Sequence, residues 1–81
     1  MDILAINVDD MKLYPSVTDD YVNIYIKEHL GPIQTEIYAV NGDFMGVQSG
    51  NKISFQNFNS GIYFCVVNYN DKKKTLKVVK L

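Results

Sequence analysis

The chain is cut into short lengths by its turn formers, and that spacing restricts its fold more than any other feature. Pro15, Gly31-Pro32, Asn41-Gly42-Asp43, Ser49-Gly50-Asn51, Asn59-Ser60-Gly61 and Asn70-Asp71 fall roughly every 8–12 residues. Such a rhythm predicts a β-sandwich or barrel. The segments between the breakers mostly alternate, as half-buried strands do. Val22, Ile24 and Ile26 line one face while Asn23 and Lys27 point away. Thr35 and Ile37 oppose Glu36 and Tyr38, and Ile53 and Phe55 oppose Ser54 and Gln56. Ile62 to Val67 is apolar on both faces, so this strand is expected to be the most enclosed.

Strands are expected over 3–8, 12–14, 21–27, 34–40, 43–48, 52–56 and 62–69, with 73–80 as an eighth if 3–8 is ordered. Thr18-Asp19-Asp20 could instead cap a helix through Tyr21–Leu30 ended by Gly31-Pro32. The β-branched and aromatic density of Tyr-Val-Asn-Ile-Tyr-Ile favours the strand. Asn41-Gly42 suits a type I′ hairpin turn, because both residues tolerate positive φ. Asn70-Asp71-Lys72 closes the last hairpin.

Asn59-Ser60-Gly61-Ile62-Tyr63-Phe64-Cys65 has the G-x-Y-x-C spacing of an immunoglobulin strand F. Gly61 permits a sharp turn into the strand, and Tyr63 can bury its ring while its hydroxyl bonds nearby backbone. With one cysteine and no tryptophan, the disulfide-pinned version is excluded. Cys65 then reads as a small core residue. The fold class is an all-β, immunoglobulin-like antiparallel sandwich of about seven strands.

At 81 residues the chain is a single domain. It has no arginine and a net charge of −1, which argues against nucleic-acid binding. No apolar run approaches the ~20 residues of a membrane-spanning helix, and no signal-peptide pattern opens the chain. Catalysis is poorly provided for. His29 is the lone histidine, beside a turn, and the lone thiol sits mid-strand, so a Cys–His dyad is not expected. Asp9-Asp10 and Asp19-Asp20 lack the spacing of a calcium loop and read as turn residues. No metal or cofactor is expected. Lys72-Lys73-Lys74, with Lys77 and Lys80, reads as a solvated hairpin tip or as a docking patch for an acidic partner.

Taken in order, these segments resemble a type A C-terminal sorting domain of the bacterial type IX secretion system over residues 12–81. Members open with an L-Y-P-N-P-like box, here Leu13-Tyr14-Pro15-Ser16-Val17. An alternating strand follows, here Val22-Asn23-Ile24, and then an I-Y-D-x-x-G-K-like segment, here Ile37-Tyr38-Ala39-Val40-Asn41-Gly42-Asp43. Next comes L-x-x-G-x-Y, here Phe58-Asn59-Ser60-Gly61-Ile62-Tyr63, and a closing K-x-I-V-K-like strand, here Lys77-Val78-Val79-Lys80. Val17 stands at the second proline, Ala39 at the usual aspartate and Asp43 at the usual lysine, which bears on recognition more than on fold.

The resemblance implies a secretion address at the end of a larger cargo protein, acting by binding and not by chemistry. Its partners would be the outer-membrane translocon, shuttle and sortase proteins of the type IX machinery, with no nucleic acid and no direct membrane insertion. Location would be the periplasm in transit to the outer membrane, cell surface or exterior. Residues 1–11 would be the preceding linker. Partner contacts fall to Lys77, Val78, Val79 and Lys80, while Leu13, Tyr14, Pro15, Gly42, Phe58, Gly61 and Tyr63 carry the motif and shape the surface. A flat exposed edge strand could also pair with a second copy into a dimer. The alternative reading is an immunoglobulin-like adhesion or carbohydrate-binding module unrelated to secretion.

Overall fold

A computed structural model describes residues 6–8, 11–27 and 31–81. It contains strands β1 (Ile6–Val8), β2 (Met11–Tyr14), β3 (Val17–Thr18), β4 (Tyr21–Ile26), β5 (Gln34–Ala39), β6 (Phe44–Ser49), β7 (Lys52–Ser54), β8 (Gly61–Tyr69) and β9 (Lys72–Lys80), with no helix among the described residues. The window that could have capped a helix is therefore a strand as far as Ile26. Asp9-Asp10 and His29 lie outside the described residues.

Two sheets form a β-sandwich, one ordered β1-β2-β4-β7 and the other β3-β9-β8-β5-β6. Side chains alternate across each strand, so every second residue enters the space between the sheets. The four-stranded sheet contributes Met11, Leu13, Val22, Ile24, Ile26 and Ile53. The five-stranded sheet answers with Ile37, Tyr63, Cys65, Val67, Tyr69, Leu76 and Val78, and Phe55 fills the end of the core. Ile6–Val8 pair with β2, and Met11 is only 2% exposed. Part of the stretch expected as a linker is thus built into the sandwich.

Three expectations are corrected. First, β8 is not enclosed on both sides. Tyr63, Cys65 and Val67 are buried, but Ile62 is 38% exposed, and Phe64 and Val66 are half-buried. A two-layer sandwich can cover only one face of each sheet, so the second apolar row of β8 stays at the surface.

Second, Asn41-Gly42 does not form a type I′ turn. Gly42 has φ +96°, but Asn41 is not in the left-handed region. Residues 40–42 make a three-residue loop, in which the Ala39 N–H donates to the Asp43 carbonyl (2.8 Å) and the Gly42 N–H to the Ala39 carbonyl (2.9 Å). The Asn41 side chain holds this shape by accepting from the Asp43 N–H and donating to the Asp43 carboxylate, both at 3.1 Å. The two-residue turn with both φ values positive is instead Asn70 (48°) and Asp71 (60°), between the facing pair Tyr69 and Lys72.

Third, β3 was not expected. Val17 and Thr18 run parallel to Val79 and Lys80, and this short strand joins the first third of the chain to its last strand.

Candidate functional site

The end of the opening box, the β5 segment, the Gly61–Tyr63 corner and the last strand meet at one end of the five-stranded sheet, while Leu13-Tyr14 and Val22-Asn23-Ile24 lie in the other sheet. Across that end the neighbours are β3, β9, β8 and β5. Thr18 faces Lys80, which faces Gly61, and Val17 faces Val79, which faces Ile62. Tyr63 lies between Val78 on one side and Ala39 on the other. The opening box reaches this place because Pro15 ends β2 and leads into β3. The peptide between Tyr14 and Pro15 is cis. The Val79 N–H then donates to the Ser16 carbonyl (2.9 Å), and the Leu81 N–H to the Thr18 carbonyl (2.8 Å). Thr18 is itself held in the turn before β4: its hydroxyl donates to the Tyr21 carbonyl (2.9 Å) and accepts from the Asp20 N–H (3.0 Å).

Gly61 begins β8 at φ +152°, a conformation that disfavours side chains. A Cβ there would meet no atom within 4 Å. The requirement is therefore conformational and not one of space. Two residues on, the Tyr63 hydroxyl donates to the Asn59 carbonyl at 2.7 Å and so ties the strand back to its own approach. The Tyr63 ring stacks on Phe58 (centroids 5.2 Å, 28° between planes) and meets Phe55 edge-on (5.8 Å, 67°). Phe55 and Phe58 are themselves edge to face at 5.4 Å. Aromatic pairs at these separations and tilts are favourable, so the corner is a packed post beneath the end of the sheet.

Of the residues expected to contact a partner, Lys77 is exposed and Val79 and Lys80 are half-buried. Val78 is fully buried between the sheets. In this arrangement it supports the strand from the core, and its side chain is turned away from any partner. Lys77 faces Phe64, which faces Tyr38, which faces Phe44, so one row crosses the outer sheet face. Tyr38 and Phe44 have ring centroids 5.5 Å apart, and the Tyr38 hydroxyl reaches Glu36 Oε1 at 3.4 Å. Burial, then the Glu36 carboxylate, raises the Tyr38 phenol above its ordinary value. The outer face is thus apolar, with Ile62, Phe64, Val66, Val79 and Phe44 exposed or half-exposed and Lys77 at one side, whereas Lys80 has the parity of buried Leu76 and Val78 and lies at the end of the strand.

Leu13 is fully buried, Tyr14 lies on the opposite outer face, and Gly42 is at the loop beside Ala39. On that opposite face the Lys12 ammonium sits 5.2 Å from the Tyr14 ring centroid, and Lys52 sits 4.4 Å from that of Tyr21. Ammonium groups over the rings leave those rings less open to stack on a sugar. Lys72 and Lys73 are at the other end of the sheet, beside a shallow concavity of about 520 Å³ also lined by Pro32, Asn68 and Asp71. The basic tip and the Lys77–Lys80 strand are therefore separate features.

Cys65 is buried and its thiol is pushed up to about 12, far from an activated thiolate. Among the described residues no group of three or more His, Cys, Asp or Glu is placed to hold a metal ion. Ser16, Val17, Thr18 and Leu81 are the participants that sequence reasoning missed as a pairing. Two residues of strand carry no periodic signal, and their partner lies some sixty positions away.

Among curated proteins none matches the chain. The family described as Secretion system C-terminal sorting domain matches residues 12–81. This is not a catalytic family, and its role implies transport toward the outer membrane or cell surface by the type IX system. The chain belongs to the type IX secretion C-terminal sorting domain family.

Proposed function

We propose that the end of the five-stranded sheet centred on β9 is the surface that the secretion machinery reads. The observation that carries this reading is convergence: the end of the opening box, the β5 segment, the Gly61–Tyr63 corner and the last strand lie side by side. Lys77 supplies an ammonium group next to the apolar side chains of Phe64 and Val79, and Lys80 supplies a second at the end of the same strand. An apolar centre with a charged border is how protein interfaces are commonly built, and its complement is an apolar surface bordered by carboxylates. Val78, Tyr63 and Phe58 hold the strand from beneath, and Gly61 sets its course.

On this reading the outer-membrane translocon binds the folded domain first, and shuttle and sortase proteins act on the cargo afterwards. The cargo is the polypeptide joined ahead of residue 12, and it crosses the periplasm on its way to the cell surface. The domain works by binding alone.

The test fuses the whole chain, which keeps β1 and buried Met11, to a periplasmic reporter in a strain competent for type IX secretion. The reporter should reach the surface or medium, and a version lacking the last five residues should stay in the periplasm. Because that truncation also removes buried Val78, a Lys77→Glu/Lys80→Glu double variant is the finer probe. It keeps the core and should lower export by roughly tenfold. Retention of the intact fusion as complete as that of the truncated one would overturn the reading.

A further inference from the structure

A sheet edge carries unpaired N–H and C=O groups that can take up another strand. One such edge runs along β9. On one side β9 pairs with β8 over its whole length, while on the other β3 covers only its last residues, with Val17 beside Val79 and Thr18 beside Lys80. Tyr69 and Lys72 flank the two-residue turn and so exchange both backbone bonds. The unbroken register then makes Lys74, Leu76 and Val78 bond toward β8 as well, and the residues between them turn their backbone groups away. Val79 shows this parity directly, since its N–H donates to the Ser16 carbonyl at 2.9 Å. The N–H and C=O groups of Lys73, Thr75 and Lys77 therefore project from the edge, and among the described residues no backbone group pairs with them there. All three residues are exposed.

Charge decides what this edge can accept. Lys73, Thr75 and Lys77 share the outer sheet face, because Leu76 and Val78 point into the core and side chains alternate. Neither β8 nor β9 contains an acidic residue. A second copy meeting the edge antiparallel about Thr75 would set Lys73 against Lys77, and a parallel copy would set each lysine against itself. Like charges placed directly opposite are destabilising, so the lysines guard the edge against its own kind. The same two ammonium groups favour a strand with carboxylates at alternate positions. That the edge takes a strand at all is seen further along, where β3 accepts bonds from the Val79 and Leu81 N–H groups.

We propose that the β9 edge from Lys73 to Lys77 is a strand-addition site for an extended acidic peptide segment, which continues the row that β3 begins. Backbone bonds to Lys73, Thr75 and Lys77 hold the segment, and its carboxylates lie beside the Lys73 and Lys77 ammonium groups. The site is an edge of backbone, whereas the sorting reading uses the outer-face side chains and the end of the sheet. It does not rest on that reading, and its failure would leave export untouched.

The test titrates the isotope-labelled whole chain with a capped octapeptide of alternating glutamate and threonine, followed by amide NMR. Shifts should concentrate at Lys73, Thr75 and Lys77, and exchange of these amides with solvent should slow by about tenfold or more. Thr75→Pro keeps every charge and removes a donor that β8 does not use, and it should weaken binding by about tenfold or more. Lys73→Gln/Lys77→Gln should weaken it by about tenfold, and an octapeptide of alternating lysine and threonine should not bind. Circular dichroism confirms that the variants are folded, and the exchange measurement needs no variant. Unchanged exchange at the three amides, binding indifferent to Thr75→Pro, or equal binding of the lysine peptide would each overturn the proposal.

Discussion

In the five-stranded sheet two hairpins lie side by side, β8–β9 and β5–β6, and they are built differently. The strands of the first run nine residues each in unbroken register, with Cys65, Val67, Leu76 and Val78 buried beneath them. Those of the second run six, with a bulge, and its outer strand buries no large apolar side chain. One hairpin therefore owes its stability to the core. In the other only β5 reaches the core, and β6 is held by its neighbour β5 and leaves its far side open. The difference separates strands that build the core from one that is only paired to them.

Two valines test this most sharply. Val78 on β9 is fully buried, whereas Val47 on β6 is nearly half exposed. Val78→Ala should cost about 2–3 kcal/mol, and Val47→Ala no more than about 0.5 kcal/mol. Urea unfolding of both variants checks the contrast, and similar losses would show the two hairpins to be equally structural.

The next largest effect is one of pH and belongs to β8 alone. Burial pushes the Cys65 thiol up from 9.0 to about 12. Below pH 9.0 the thiol is protonated in both folded and unfolded chains, so its full contribution is present. Between there and about 12 only the unfolded chain releases the proton, and stability falls by up to about 1.4 kcal/mol per pH unit. Cys65→Ala should be less stable at neutral pH but should lose less on going alkaline. Denaturant midpoints of the two proteins across that range decide it, and parallel slopes would mean that the thiol is less enclosed than its position indicates.

β5, which lies between β8 and β6, carries a flaw in the core. The hydroxyl of buried Thr35 has no hydrogen-bond partner among the described residues. Thr35→Val should raise stability by about 1 kcal/mol, read as a higher melting temperature. A loss instead would point to a partner for the hydroxyl.

The smallest effects lie in the turns. Asp71→Gly should stabilise by about 0.5 kcal/mol, because residue 71 has φ 60°. Asn41→Gly should destabilise by a similar amount, through loss of the two Asn41–Asp43 bonds and a freer unfolded chain. Opposite signs in thermal melts are the expected outcome.

Much of this was legible in the residues. The alternation of Val22, Ile24 and Ile26, and of Ile53 and Phe55, gave the inner faces correctly, since side-chain direction in a strand has a fixed period of two. Strand ends shifted by only a few residues. The asparagine-glycine pair misled because a turn's type depends on which residues its flanking strands pair, and here Ala39 pairs with Asp43. The apolar row of Ile62, Phe64 and Val66 looked like core because hydrophobicity alone does not say which face of a sheet receives a second layer.

The sequence by itself determined the all-β class, the last hairpin and the identity of each motif box, because these rest on local periodicity, turn chemistry and spacing. Only the tertiary structure decided that the end of the opening box, the β5 segment and the last hairpin share one end of one sheet, that Val78 looks inward while Lys77 looks outward beside Phe64, and that β6 is an edge strand. Those facts depend on strand order and on which face of each sheet is covered. Both are settled by contacts between residues far apart in the chain, where no local pattern reaches.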